Sequence, residues 1–404
     1  MKIGVFTDAY LPQVNGVTTS ILMYVKELEK RGHEVSIITA KHGNYKDKRK
    51  NIYRLTSFKI SNKTDVSVAM HIPEPILVKI LRKNFDVIHG HSGGPVTMLG
   101  WEISQLKNTP YVFTYHTMWP LYSHYVLRGK FKIKQILKFL SRVSSNNSDA
   151  VVVPTKKISN ALISYGVDKP IQVIPTGIDL EAFKNVKKGY LRKQYAIGKE
   201  QKIILCVGRL AKEKSQDFII QSFKEVHKRY PDAILCLVGD GPKRDEYEKH
   251  VKKFHLTGKV IFTGTIPLSE MPKVYADADL FVFASKTETQ GLVVMEALAS
   301  GVAVIAVDDA VYDDLIKNNS NGILTLKNKA AFAAEIIHLL ENDTARNKIS
   351  KQAKITAQKF SIETTVNQME KIYLHLIMTN RKRLSLKTPK KILRRVANKI
   401  IFTP

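Results

Sequence analysis

From its first residue, the chain alternates short apolar runs with longer stretches in which apolar positions recur every three or four residues. Lys2 to Phe6 reads as a strand, Gly16 to Arg31 as an amphipathic helix, and Glu34 to Thr39 as the next strand. Further strands are predicted at Asp86 to His89, Tyr111 to Thr114, Ala150 to Val153 and Ile171 to Ile174. Such alternation implies a mostly parallel, doubly wound α/β sheet. After a basic stretch near Lys184 to Lys199 the pattern restarts, with strands at Ile203 to Val207, Ala233 to Val238, Val260 to Thr263, Leu280 to Phe283 and Ala303 to Ala306. Two domains follow, residues 1–183 and 184–355. The run from Lys327 to Met378 reads as helical, and its last part, 356–379, is expected to cross back to the first domain. In open parallel sheets ligands bind beyond the carboxyl ends of the strands, so two sheets facing each other are expected to enclose a cleft.

Length agrees with that division, since 404 residues exceed what one core usually supports. Charge changes the picture more. There are 64 basic and 36 acidic side chains, a net charge of +28, which attracts polyanions such as nucleic acid, an anionic membrane face or an acidic substrate. One basic block is the tail, residues 380–404, where nine Lys or Arg occur without an acid and include Lys390, Lys391, Arg394 and Arg395. Another is Arg128 to Arg142, which holds Lys130, Lys132, Lys134, Lys138 and Arg142. In it Ile133, Ile136, Leu137 and Leu140 share one helical face and Lys134, Lys138 and Arg142 another. Helices of this kind either bury the apolar face in the core or lie in a membrane interface, and a basic tail is otherwise disordered. Nucleic acid fits less well, because both blocks are poor in aromatics and no RNA or DNA module is recognisable. No apolar run approaches the roughly 20 residues that span a bilayer, and Met1 to Asp8 reads as a strand rather than a signal peptide, so the chain is expected in the cytosol. Cys206 and Cys236 lie in apolar runs, as small buried thiols do.

Candidate chemistry sits in loops that follow strands. Thr7 to Thr19 contains Gly16 at a helix start, where backbone N–H groups and partial positive charge suit a phosphate. Val207 to Ser215 carries Arg209 and Lys214, a planar fork and a point charge able to converge on a diphosphate, with surface ion pairing as the plain alternative. Val238 to Pro242 and Thr263 to Pro267 are glycine turns; the first is equally well purely structural, and Gly264 in the second admits a flat base against backbone. Glu288 and Glu296 flank a predicted helix that Gly291 opens, so two carboxylates that can accept hydrogen bonds from sugar hydroxyls border an amide-rich end. In the first domain His116 directly follows a strand. His89 and His91 have metal-like spacing but no third ligand nearby and read as loop residues, and Asp277 with Asp279 reads as a helix end. No metal site is expected.

Taken in order, the Gly16 loop, His116, Ile174 to Asp179, the Arg209 and Lys214 loop, the Gly239 to Pro242 turn and the Glu288 to Glu296 segment resemble retaining glycosyltransferase family 4, of the GT-B fold with two Rossmann-like domains. The resemblance covers about residues 1 to 378. Phe6 to Thr19, Tyr115 to Met118 and Glu288 to Leu292 are most similar to bacterial enzymes that glycosylate membrane lipids, the diacylglycerol 3-alpha-glucosyltransferases. It implies transfer of glucose from UDP-glucose to diacylglycerol with retention, at the cytoplasmic face of a membrane, without a cofactor or metal. Arg209, Lys214 and the helix starts at Gly16 and Gly291 would stabilise the departing diphosphate. Glu296 would hold the ribose and Glu288 the donor sugar, with Gly264, Thr265 and Leu292 also in the donor site. His116 would hydrogen-bond the sugar near its anomeric carbon and the acceptor. Ser215 stands where the family pattern usually has Gly, and Gln290 where Phe is frequent before Gly291, which leaves the donor sugar open. Alternatives are another lipid or soluble sugar acceptor, a sugar-nucleotide epimerase, or a nucleic-acid-binding protein.

Overall fold

The computed structural model describes residues 1–13, 15–59, 67–70, 72–121 and 131–380. By contacts the chain divides into two compact units, Met1–Pro175 joined by the residues from Thr365 onward, and Thr176–Thr364. The sequence puts the corresponding boundaries at 183/184 and 355/356.

In the first unit the strands are β1 (Lys2–Thr7), β2 (Glu34–Ala40), β3 (Ile52–Leu55), β4 (Ser57–Lys59), β5 (Ser67–Ala69), β6 (Val87–His91), β7 (Tyr111–Thr114), β8 (Ala150–Val153) and β9 (Ile171–Val173). Seven of them form a parallel sheet in the order β3-β2-β1-β6-β7-β8-β9, and β4 pairs antiparallel with β5. Its central strands are mostly apolar, as strands covered on both faces are; Ile3, Val5, Phe6, Ile37, Ile38, Val87, Ile88, Val112 and Phe113 are fully buried. The strand order reverses between β1 and β6. A helix over 362–380 belongs to this unit from Thr365 on.

The second unit has β10 (Ile203–Val207), β11 (Ile234–Val238), β12 (Val260–Gly264), β13 (Leu280–Phe283), β14 (Ala303–Val307) and β15 (Ile323–Thr325), all parallel in the order β12-β11-β10-β13-β14-β15. Here the order reverses between β10 and β13. Cys206 and Cys236 are free and buried in neighbouring strands of this sheet. The helical run after residue 327 begins with two helices, Lys329–Glu341 and Asp343–Ala357, each opened by an asparagine whose side chain accepts from the backbone, Asn328 from Ala331 N and Asn342 from Ala345 N. Among the described residues no helix is long and apolar enough to cross a membrane.

Candidate functional site

Because every strand of the second sheet runs the same way, the loops after β10, β11, β12 and β13 leave from one edge. The two richest in chemistry flank the reversal point, where α/β sheets hold ligands. After β10 the chain passes Arg209, which is exposed, and enters a short 3-10 turn, Lys212–Lys214. After β13 comes Glu288. Its Oε1 lies 2.5 Å from Lys214 Nζ, and both side chains are largely shielded from solvent. Ser285 Oγ bonds Glu213 O and ties the same two loops. Two groups the sequence places 74 residues apart are therefore one charge-assisted pair.

Ser215 has φ +56°, the left-handed region that glycine occupies without strain, which gives a backbone reason for glycine at this position. Rather than capping the helix Gln216–Arg229 with its side chain, Ser215 accepts from Lys327 Nζ at 2.8 Å. Gly239 and Gly241 are structural: a Cβ on Gly239 would stand 2.3 Å from Gly208 O, and one on Gly241 2.4 Å from Leu210 O. The β11 loop is thus laid directly on the backbone of the Arg209 loop, with Leu210 N donating to Asp240 O and Lys243 N to Leu210 O. Gly264 ends β12 at φ +70°, and Thr265 is exposed beside it.

Gly291, at φ +78°, opens the helix Leu292–Ser300, so Glu288 precedes the helix and Glu296 lies within it. Glu296 Oε2 accepts from Tyr275 OH at 2.6 Å. Burial raises its carboxyl to about 7, and the tyrosine bond opposes that rise. Gln290 is buried and clamps Thr176 in both directions, accepting from its N at 2.8 Å and donating to its O at 2.9 Å. The residue in the phenylalanine's place therefore anchors the segment Thr176–Asp179. Among the described residues the buried Tyr312 OH has no hydrogen-bond partner, and its ring lies against Gly291; sequence gives no warning of it or of Tyr275.

In the first unit the reversal point also gathers polar groups, and here the loop reading of His89 and His91 is corrected. Both lie on β6 and are buried, at 1% and 3% exposure. The ladder β1–β6–β7 sets them beside Thr114 and the loop that carries His116. His91 Nδ1 and His116 Nε2 are 2.9 Å apart with the rings stacked, and the His89 and His91 ring centroids are 4.0 Å apart. Tyr24 OH donates to Tyr373 OH at 2.6 Å, Tyr373 OH meets His89 Nδ1 at 2.6 Å, and His89 Nε2 meets Thr114 Oγ1 at 2.6 Å. Burial pushes the His89 imidazole down to about 3 and His116 to about 4, and lowers His91 strongly, so all three rings are neutral near pH 7. Asp8, after β1, accepts from Gly94 N and Val96 N and so caps the helix Pro95–Lys107. At Gly16 the helix start is closed by Asn15, whose Oδ1 accepts from Thr18 N.

The helix Phe131–Asn146 packs the other way round from an ordinary surface helix. Among its described side chains Ser141 and Ser145 are the buried ones, with Ser141 Oγ bonded to Tyr115 OH, while Ile136, Phe139, Leu140 and Val143 are exposed, Phe139 at 62%. Lys134 and Arg142 are exposed too, and Lys138 lies over the Tyr165 ring. Lys130, Lys390, Lys391, Arg394 and Arg395 lie outside the described residues, as does the side chain of Lys132.

Residues 14–182 match the family described as Glycosyltransferase Family 4, and residues 187–356 match Glycosyl transferases group 1. The chain is 32% identical over 403 residues to an alpha-monoglucosyldiacylglycerol synthase of Acholeplasma laidlawii, covering 96% of this chain and all of that one. A protein of the same name from Streptococcus pneumoniae is 31% identical, covering all of this chain and 92% of its own. Anabaena HepE crystallised with UDP and glucose has the same fold, with a TM-score of 0.73 at 20% identity over 92% of this chain and 99% of the other. With its two doubly wound parallel sheets of GT-B type, the chain belongs to glycosyltransferase family 4 and is a hexosyltransferase.

Proposed function

We propose that the protein transfers glucose from UDP-glucose to diacylglycerol with retention, working at the cytoplasmic face of a membrane to which it binds peripherally. The second unit takes the donor. Glu296, steadied by Tyr275, accepts from the ribose hydroxyls. Glu288 accepts from the hexose hydroxyls while Lys214, which has three N–H donors, keeps one on Glu288 and turns others to the diphosphate. Arg209 and the amides at the start of the helix Leu292–Ser300 add positive charge where the leaving group gathers negative charge, the task a metal ion performs in other transferases. Gly264, Thr265 and Leu292 complete the donor side. His116 serves the acceptor hydroxyl, whose proton passes to the departing phosphate on the same face of the sugar.

The observation that carries the lipid acceptor is the reversed helix Phe131–Asn146. A helix that turns serines inward and Ile136, Phe139, Leu140 and Val143 outward exposes apolar surface that water disfavours and a headgroup boundary accepts. Lys134 and Arg142 beside them add about 1 kcal/mol each at most near an anionic leaflet. The two relatives at 31% and 32% identity are each named alpha-monoglucosyldiacylglycerol synthase, which fits such an acceptor. The test is to incubate purified protein with UDP-glucose and diacylglycerol vesicles of rising anionic lipid content. Glucolipid is the expected product; none at any lipid composition would sink the reading. Replacing Ile136 and Phe139 by glutamate should release the protein from vesicles in flotation, and unchanged flotation would remove this helix from the account.

A further inference from the structure

Among the described residues His91 makes a single side-chain hydrogen bond, between its Nδ1 and His116, and its buried Nε2 has no partner. Each neutral ring has one N–H and one bare nitrogen, so the bond can be made in only two ways. If His116 Nε2 donates, His91 must carry its proton on Nε2, an N–H stranded in the interior. If His91 Nδ1 donates, its Nε2 is only a bare lone pair, and His116, accepting at Nε2, must hold its own proton on Nδ1. Among buried backbone groups a stranded N–H is rarer than an under-satisfied acceptor, and the same ordering applied to the ring selects the second arrangement.

We propose that His91 is a positioning residue that locks His116 as the Nδ1–H tautomer, so that His116 faces substrate as a hydrogen-bond donor. This rests on the assignment of His116 to the transfer reaction. The surroundings serve the same end. The His91 ring stacks on His116 and lies against the tilted ring of His89, and its carbonyl accepts from Thr97 Oγ1 at 2.6 Å. His89 in turn is fixed at both nitrogens by Tyr373 and Thr114, so it offers His91 no alternative partner. Among the described residues His116 Nδ1 has no hydrogen-bond partner, which leaves it available to a substrate oxygen.

The experiment labels the full-length protein with ring-15N histidine, assigns the His116 signals by their loss in a His116→Gln variant, and records the ring without substrate. The expected wild-type spectrum shows a protonated Nδ1 and a bare Nε2 on His116. His91→Phe, which cannot donate, should mix the two tautomers and lower kcat at least tenfold with KM for UDP-glucose within about twofold. In His91→Asn the amide N–H stands near the position of Nδ1–H, so it should restore both the spectrum and most of kcat. A wild-type His116 protonated on Nε2 overturns the proposal, as does a His91→Phe protein with unchanged kcat, or a His91→Asn protein no better than His91→Phe. Absence of turnover by the wild type on UDP-glucose and diacylglycerol counts against the assigned reaction instead, and the spectrum still decides the tautomer.

Discussion

Glu296 makes the second unit's stability depend on pH in a direction opposite to that of an ordinary paired carboxylate. In the folded chain burial keeps its proton on up to about 7, whereas in the unfolded chain it leaves near 4.5. Between those values the folded state binds more protons than the unfolded one, so stability is lost as pH rises through the window and this group adds no further change above it. At 1.36 kcal/mol per pH unit the full effect is roughly 3 kcal/mol, and residual contact of the side chain with solvent reduces it to on the order of 1–3 kcal/mol. Glu296→Gln keeps an oxygen for Tyr275 and abolishes the titration. The stability difference between the variant and the wild type should therefore widen from pH 4.5 to 7 and then level off. The chain supplies its own probe, because its two cysteines, Cys206 and Cys236, are both buried in the second sheet. Denaturant titrations followed by labelling with a disulfide reagent active in acid report that unit alone. If the difference between the two proteins stays constant from pH 4.5 to 7.5, the carboxyl is ordinary in the folded state and the reasoning is wrong.

Tyr373→Phe strands both Tyr24 OH and His89 Nδ1, and should destabilise the first unit by about 2 kcal/mol, read by the fluorescence of Trp101 and Trp119, which both lie in that unit. Gly239→Ala forces a methyl against Gly208 O at φ +125° and should cost roughly 2 kcal/mol or more, visible as faster thiol labelling of the second unit. Arg209→Ala should remove roughly 2 to 4 kcal/mol of transition-state stabilisation, measured as kcat/KM for UDP-glucose with the fold intact. An Arg209→Ala enzyme of normal kcat/KM would place the diphosphate elsewhere.

The two sheets were legible because buried parallel strands are nearly all apolar, and runs such as Ile203 to Val207 and Leu280 to Phe283 have no other reading. β3, β4, β5 and β15 are short and each mixes polar with apolar residues, Arg54, Ser57, Lys59, Ser67 and Thr325 among them, so no apolar run marks them. Glu288, Gly291 and Glu296 could be placed around a helix start because glycine punctuates the pattern locally. The strand at Asp86 to His89 was found, but its end was misread for the same reason in reverse: polar residues after a short apolar run look like a loop until the sheet supplies partners. Tyr373 is 284 residues from His89, and no local pattern records that bond. Gln290 likewise declares its task only when Thr176 arrives, 114 residues away in sequence.

The first unit is interrupted in sequence, and this has a consequence for biosynthesis. Between Pro175 and Thr365 the ribosome must add the 189 residues of the second unit before the first can be completed. At about 5–20 residues per second that interval lasts roughly 10 to 40 s. Throughout it Tyr24 and His89 wait without Tyr373, while the later-made unit, continuous in sequence, emerges whole. The segment translated first is thus the last to reach its finished form, and the cell's folding helpers meet it half-made.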